Sequence, residues 1–223
     1  MVSNFDFLKK DFPVLSNFGE MAEKYCYSDS NSCLMKLGMI GETIVNLMFT
    51  YDRIAFPHDN TAVARIDKLS REGLLTSDLV AILHGLRKVR NKAVHENYAS
   101  IADDKTFLPM AHSLCEWFMQ TYGDWNYSHK DFVMPEENTV LGTVDKEAEE
   151  KKESELTKLA EQMAAAAPII EQTERKKQAY KAANQRPKTE AETRFLIDEQ
   201  LRMVGWDADT ENLRYSKGTR PTK

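Results

Sequence analysis

The sequence predicts an all-α fold for most of its 223 residues. Three observations carry that expectation. Apolar residues recur at three- and four-residue spacing through successive segments, cap and stop residues punctuate those segments, and no alternating strand pattern occurs before residue 208. Composition divides the chain into three regions: 1–135, rich in Leu, Met, Phe and Ile; 136–187, charged and rich in Ala; and 188–223, one helix followed by turn-forming residues.

In the first region a helix is expected from Asn4 to Tyr25, bent or interrupted by Pro13, with Leu15, Phe18, Met21 and Ala22 facing inward. A second follows Ser30 to Ser32 as caps and runs to Tyr51. It is apolar almost all round, as a central helix must be: Leu34, Leu37, Ile40, Ile44, Val45, Leu47, Met48 and Phe49 cover several faces. A short helix, Ala62 to Arg71, ends at Gly73. A longer one starts at Thr76-Ser77-Asp78 and carries Leu79, Ile82, Leu83, Leu86, Val89, Arg90 and Ala93 on one stripe. The last, Asp103 to Tyr122, presents Phe107, Leu108, Ala111, Leu114, Cys115 and Phe118. Helices joined in this way form an up-and-down bundle.

The second region places Leu156, Leu159, Met163, Ala166 and Ile170 amid Glu and Lys, which reads as a coiled-coil-like helical arm. Pro168 and Pro187 break it. A spacer and a homodimerisation element are both open readings. In the third region Thr189 and Glu192 form a capping box before Phe195, Leu196, Ile197, Leu201 and Val204, and Gly205 stops the helix.

Composition narrows the function classes. A net charge of -5 argues against bulk electrostatic binding of nucleic acid. Cys26, Cys33 and Cys115 are odd in number and lie in apolar segments, so buried free thiols are expected. No basic-then-apolar leader precedes Asp6, and no apolar stretch comes near the roughly 20 residues of a membrane span, which points to a cytoplasmic, membrane-free protein. There is no Gly-x-x-x-x-Gly-Lys-Ser/Thr loop and no Gly-x-Ser-x-Gly elbow. His84, His112, His58 and His129 make no ligand set with a carboxylate, so no metal site is expected.

A local basic run remains: Arg87, Lys88, Arg90 and Lys92, with no acid between Asp78 and Glu96. Arg87, Lys88 and Lys92 are candidate nucleic-acid contacts, against the plainer reading of a solvated helix face. Within the run, Arg90-Asn91-Lys92-Ala93-Val94-His95 is the one constellation able to carry chemistry. An Arg, a polar residue and a His at this spacing, near the end of a bundle helix, resemble the R-x4-6-H motif of HEPN domains. That resemblance implies His95 as acid/base and Arg90 as phosphate stabiliser in a metal-independent ribonuclease working as a dimer, with Asn91 at the polar position. Five steps of about 100° set Arg90 and His95 roughly 140° apart on an unbroken helix, so their convergence needs a helix end or a second protomer. The structural alternative starts from Glu42, the only acid between Asn31 and Tyr51. A carboxylate inside so apolar a helix needs a partner, and Arg90 is the best placed.

The C-terminal region carries a second resemblance. Ala191-Glu192-Thr193-Arg194, Leu196-Ile197-Asp198, Leu201, Gly205-Trp206 and Asn212 to Pro221 resemble the start of the nuclease domain in restriction (R) subunits of type I restriction-modification enzymes. HEPN-like bundles also stand at the N-terminus of some R subunits. The resemblance implies an accessory HEPN-like bundle, 1–135; a helical spacer, 136–187; and the incomplete start of an α/β PD-(D/E)xK nuclease domain, 188–223. It also implies modification and specificity subunits as partners and DNA bound through the parent enzyme. Magnesium and ATP would act through downstream domains and not through this segment. RNA and a second copy of the chain are the further candidate partners.

Overall fold

The computed structural model describes residues 2–137 and 146–208. Among the described residues the chain is helical, with no strand. It divides into two compact units, Met1–Arg186 and Pro187–Lys223.

In the first unit a single 3-10 turn, Asp6–Leu8, leads to α1, Pro13–Tyr25. Pro13 begins this helix instead of bending it, because the first helical position needs no N–H and suits the fixed φ of proline. Leu15, Phe18, Met21 and Ala22 are all buried, as their spacing predicts. Helix α2 spans Ser30–Tyr51, and its cap is Asp29, whose carboxylate accepts from the Ser32 N–H at 3.1 Å. α2 packs against α1 and against α3 (Ala62–Arg71), α4 (Ser77–Glu96), α5 (Ile101–Tyr122) and α6 (Lys146–Ala166). At 22 residues and a mean hydropathy of 1.2 it does reach the length and apolarity of a membrane span, contrary to the sequence expectation. Two thirds of that stretch lies inside the protein, so α2 is the core helix of the bundle. Gly38 allows α4 to come against it: a Cβ there would fall 2.2 Å from the Cβ of Arg90.

The segment expected as a spacer folds back onto the bundle. α6 stops two residues before Pro168, and α7, Gln172–Gln185, follows. The face that α6 turns inward carries Glu153, Ala160 and Ala164, while Leu159 and Met163 stay exposed. Lys36 on α2 is the reason. Its ammonium lies 2.5 Å from Glu149 and 2.5 Å from Glu153, and Tyr25 donates to Glu149 at 2.8 Å. A cation enclosed at that depth draws the acidic face towards it, and the alanines let the backbones approach.

α7 docks through Arg175, which is 1% exposed. Its Nε lies 3.0 Å from Asp52, Nη1 donates to the Thr121 carbonyl, and the guanidinium sits 4.2 Å over the Tyr122 ring. Gln178 donates to the Gln120 carbonyl at 2.7 Å, and the Trp117 indole donates to Ala179 at 3.0 Å. With α7 on its second side, α5 is buried continuously from Phe107 to Tyr122 instead of along one stripe. Cys26, Cys33 and Cys115 are buried and free.

In the second unit the Thr189 hydroxyl caps α8, Glu190–Met203, by accepting from the Glu192 N–H at 3.1 Å. Gly205, at φ 83°, ends the helix in a left-handed conformation. Asn212 to Pro221, which carry part of the restriction-subunit resemblance, lie outside the described residues.

Two predictions concern stability. Arg175→Ala leaves Asp52 enclosed without its cation and should destabilise the protein by about 3–5 kcal/mol, measured by urea titration. Restoration of part of that loss in the Asp52→Asn/Arg175→Ala double variant would identify the stranded charge as its source. The second concerns Asp104, which is fully buried with both carboxylate oxygens lacking a well-formed hydrogen bond. Burial pushes its carboxyl from 3.8 up to about 6, and Ser30 and Cys33 beside it offset only part of the shift. A raised carboxyl favours the folded state below the unfolded value, and this contribution is lost as pH climbs through about 6. Asp104→Asn should therefore gain on the wild type by roughly 2–3 kcal/mol between pH 4 and pH 7 in chemical melts.

Candidate functional site

A cleft of about 390 Å³ opens between α2, α3 and α4. Its apolar floor is Val45, Ile66 and Leu83, and three arginines from two helices line it: Arg65 on α3, and Arg87 and Arg90 on α4. Glu42 is the one carboxylate in the lining, and Asn46, Thr61 and Asn91 complete the polar part. Gly38 and Gly41 form the wall where α2 meets α4.

Each arginine is held differently. Arg65 donates from Nη1 to Asn46 at 2.7 Å and from Nε to Asn60 at 2.7 Å, and its guanidinium lies 5.3 Å over the Phe56 ring. Arg90 places Nη1 3.3 Å from Glu42 Oε2, with the two side chains 36% and 43% exposed. The desolvation argument that pointed to Glu42 from the sequence does not hold. Glu42 sits on the exposed edge of α2, and a pair so wet is worth only ~0–1 kcal/mol. Arg87 is half-buried, and its Nε is enclosed without a hydrogen-bond partner. The half-buried His84 stands one turn before Lys88, 3.7 Å from Asp67. Burial holds its imidazole below the usual range, Arg87 and Lys88 push the same way, and Asp67 opposes them.

The structure gathers Arg87, Arg90 and Asn91 on this cleft and leaves His95 out of its lining. α4 runs unbroken through Glu96 and ends at Asn97, whose φ of 50° is left-handed. His95 therefore stays on the helix proper, exposed, one turn beyond Asn91. Asn31 of α2 secures this end of α4 by donating to the carbonyls of Ala93 and Tyr98 at 2.8 and 2.9 Å. Lys88 and Lys92 are exposed, and Lys92 lies 5.3 Å over the Tyr98 ring.

Arg65 and Asn46 escaped the sequence reading, because nothing in linear spacing ties residues of α2 and α3 to the basic run of α4. The glycines could have betrayed the place. Gly38 and Gly41 interrupt an apolar helix, which marks a close backbone approach. Chemically, three guanidinium groups against one carboxylate make a cationic opening with no imidazole or thiol in its lining, suited to holding an anion. Among the described residues no group of three His, Cys, Asp or Glu side chains is arranged to hold a metal ion.

The chain is 27% identical, over an alignment of 274 residues, to the type I restriction enzyme EcoKI endonuclease subunit of Escherichia coli (strain K12). That similarity covers 98% of this chain, well beyond the C-terminal residues that first suggested it, but 23% of the relative, so the chain spans about a quarter of the relative's length. No solved structure matches. Residues 20–162, from α1 through most of α6, match the domain of unknown function DUF4145, and the chain belongs to that family.

Proposed function

We propose that this chain is the accessory module, serving assembly or regulation, of a type I restriction endonuclease subunit in DNA restriction-modification. It carries neither the nuclease nor the translocase active site. The observation that carries this reading is the similarity to the EcoKI endonuclease subunit along 98% of the chain. On this reading its partners are the modification and specificity subunits, DNA is engaged through the longer enzyme, and the module works in the cytoplasm. The bundle (1–135), the helical arm (136–187) and the opening of a nuclease domain (188–223) are its parts. The cleft supports a binding role: its lining sets three arginines against the single carboxylate Glu42 and includes no histidine.

A second reading, a HEPN ribonuclease acting as a dimer through Arg90, Asn91 and His95, draws on one feature. Arg87, Asn91 and His95 succeed one another at four-residue spacing along α4, with Asn91 and His95 exposed. A second copy laid on that face would supply the missing convergence.

One experiment separates the two. The chain is mixed with the complex of modification and specificity subunits from the same host and followed by size exclusion with light scattering. Labelled single-stranded RNA is incubated in parallel, in EDTA, with wild type and His95→Ala. The expected outcome is co-elution with the complex and intact RNA. Elution as a free dimer, with metal-independent RNA cutting that His95→Ala abolishes, would replace the accessory reading by the ribonuclease.

A further inference from the structure

We infer that the cleft between α2, α3 and α4 binds a small organic phosphate: an anionic phosphoryl group held by Arg87 and Arg90, on a flat apolar body that fills the space above Val45, Ile66 and Leu83. This goes beyond the accessory role, since the ligand of the cleft does not depend on which complex carries the module.

The inference starts from an imbalance of charge and of hydrogen bonds. Arg65 has its guanidinium committed to Asn46 and Asn60, and Arg90 has Glu42 at 3.3 Å. Arg87, between them in the cleft lining, has its Nε shut away from water without an acceptor. A buried guanidinium N–H left without a partner is costly, and the open space that Arg87 meets is the cleft it lines. The group that satisfies it is an acceptor, and with three cations facing one carboxylate it is an anion.

Shape gives the rest of the ligand. The volume of about 390 Å³ lies at the small end of the ~300–1,000 Å³ range of organic ligand sites, far more than a bare ion fills. The floor is aliphatic and the polar groups gather at the rim, as in sites that take an apolar body by its faces and an anionic group by its edge. The amino end of α3, Thr61 to Val63, opens onto the same space and adds N–H groups of the same sign. Glu42 opposes the anion, but it stands exposed on the rim and its pairing with Arg90 is weak, so a phosphoryl group can take its place on Arg90.

Free nucleotides and the phosphorylated end of a nucleic-acid strand share this chemistry, and separate arms of one experiment distinguish them. Calorimetric titrations of the full chain with AMP, adenosine, inorganic phosphate and a 5′-phosphorylated single-stranded oligonucleotide should give saturable binding of AMP or of the oligonucleotide. Adenosine and inorganic phosphate should each bind at least tenfold more weakly. Tighter binding of the oligonucleotide than of AMP assigns the site to a strand end, and the reverse assigns it to a free nucleotide. Arg87→Met should lower the affinity at least tenfold, whereas Lys177→Ala, an exposed cation on α7 outside the cleft, should leave it within twofold. If Arg87→Met does not fold, Arg90→Met replaces it with the same expected loss. Failure of all four probes to bind, or equal losses in Arg87→Met and Lys177→Ala, overturns the site. Co-elution with restriction subunits is read independently, so the two proposals fail separately.

Discussion

A helix that is apolar around nearly its whole circumference cannot lie on a surface, and α2 is such a helix. Leu34, Leu37, Ile40, Ile44, Leu47, Met48 and Phe49 point in several directions, and each is almost completely buried. At ~25 cal/mol per Å² of apolar surface, leaving one side of α2 open would forfeit several kcal/mol, so the chain must surround it. α1, α4 and α5 cover most of it, α3 closes one edge, and α6 returns from far along the sequence to cover the rest. Much else in the first unit follows from that requirement. It dictates the path of the arm and the seating of α4 against Gly38, and the cleft lies in the corner where α2, α3 and α4 meet.

The arm is fastened by charges where apolar contact might be expected. Lys36 receives Glu149 and Glu153; Arg175 receives Asp52 and the Thr121 carbonyl; Arg53 donates to the carbonyls at the end of α6, Ala164 and Ala165. Burial changes what these groups are worth. Lys36 and Arg175 are removed from water, and each must find its partner or cost several kcal/mol, so they define one docking register where apolar contacts would allow several. The same logic operates at Glu116, 1% exposed, which accepts from the Tyr127 hydroxyl and the Lys130 N–H and lies 3.0 Å from His129. Those contacts hold the segment after α5 against the bundle.

This explains which parts of the fold could be read in advance. Helix positions rest on local rules: α3 occupies Ala62–Arg71 because Thr61 caps it and Gly73, at φ 72°, stops it. The central place of α2 follows from its composition. Docking of α6 and α7 was not legible, because Glu149, Glu153 and Arg175 look in the linear sequence like any solvated face. Only a cation 100 or more positions away gives the glutamates an inward meaning. The candidate site was legible on one helix, as Arg87, Arg90 and Asn91 of the basic run, and illegible on the other two. Arg65 and Asn46 owe their place in the cleft to the angle at which α3 crosses α2, and no spacing encodes that angle.

The continuity of α4 decides what the site can do within one chain. Had the helix ended before residue 95, the chain could have turned His95 back over Arg90. Instead the left-handed residue comes at Asn97, and the two amide hydrogen bonds from Asn31 fix the helix end after His95 has already been placed. At about 100° per residue, the imidazole then points away from the face that carries the guanidinium. Proton transfer needs groups within hydrogen-bond reach of one another's substrate atoms, whereas holding an anion needs only converging donors. Arg65, Arg87 and Arg90 line one space, and His95 does not. The geometry of a single chain thus favours capture of a ligand over its cleavage, and only a partner's contribution on the open face of α4 could reverse that order.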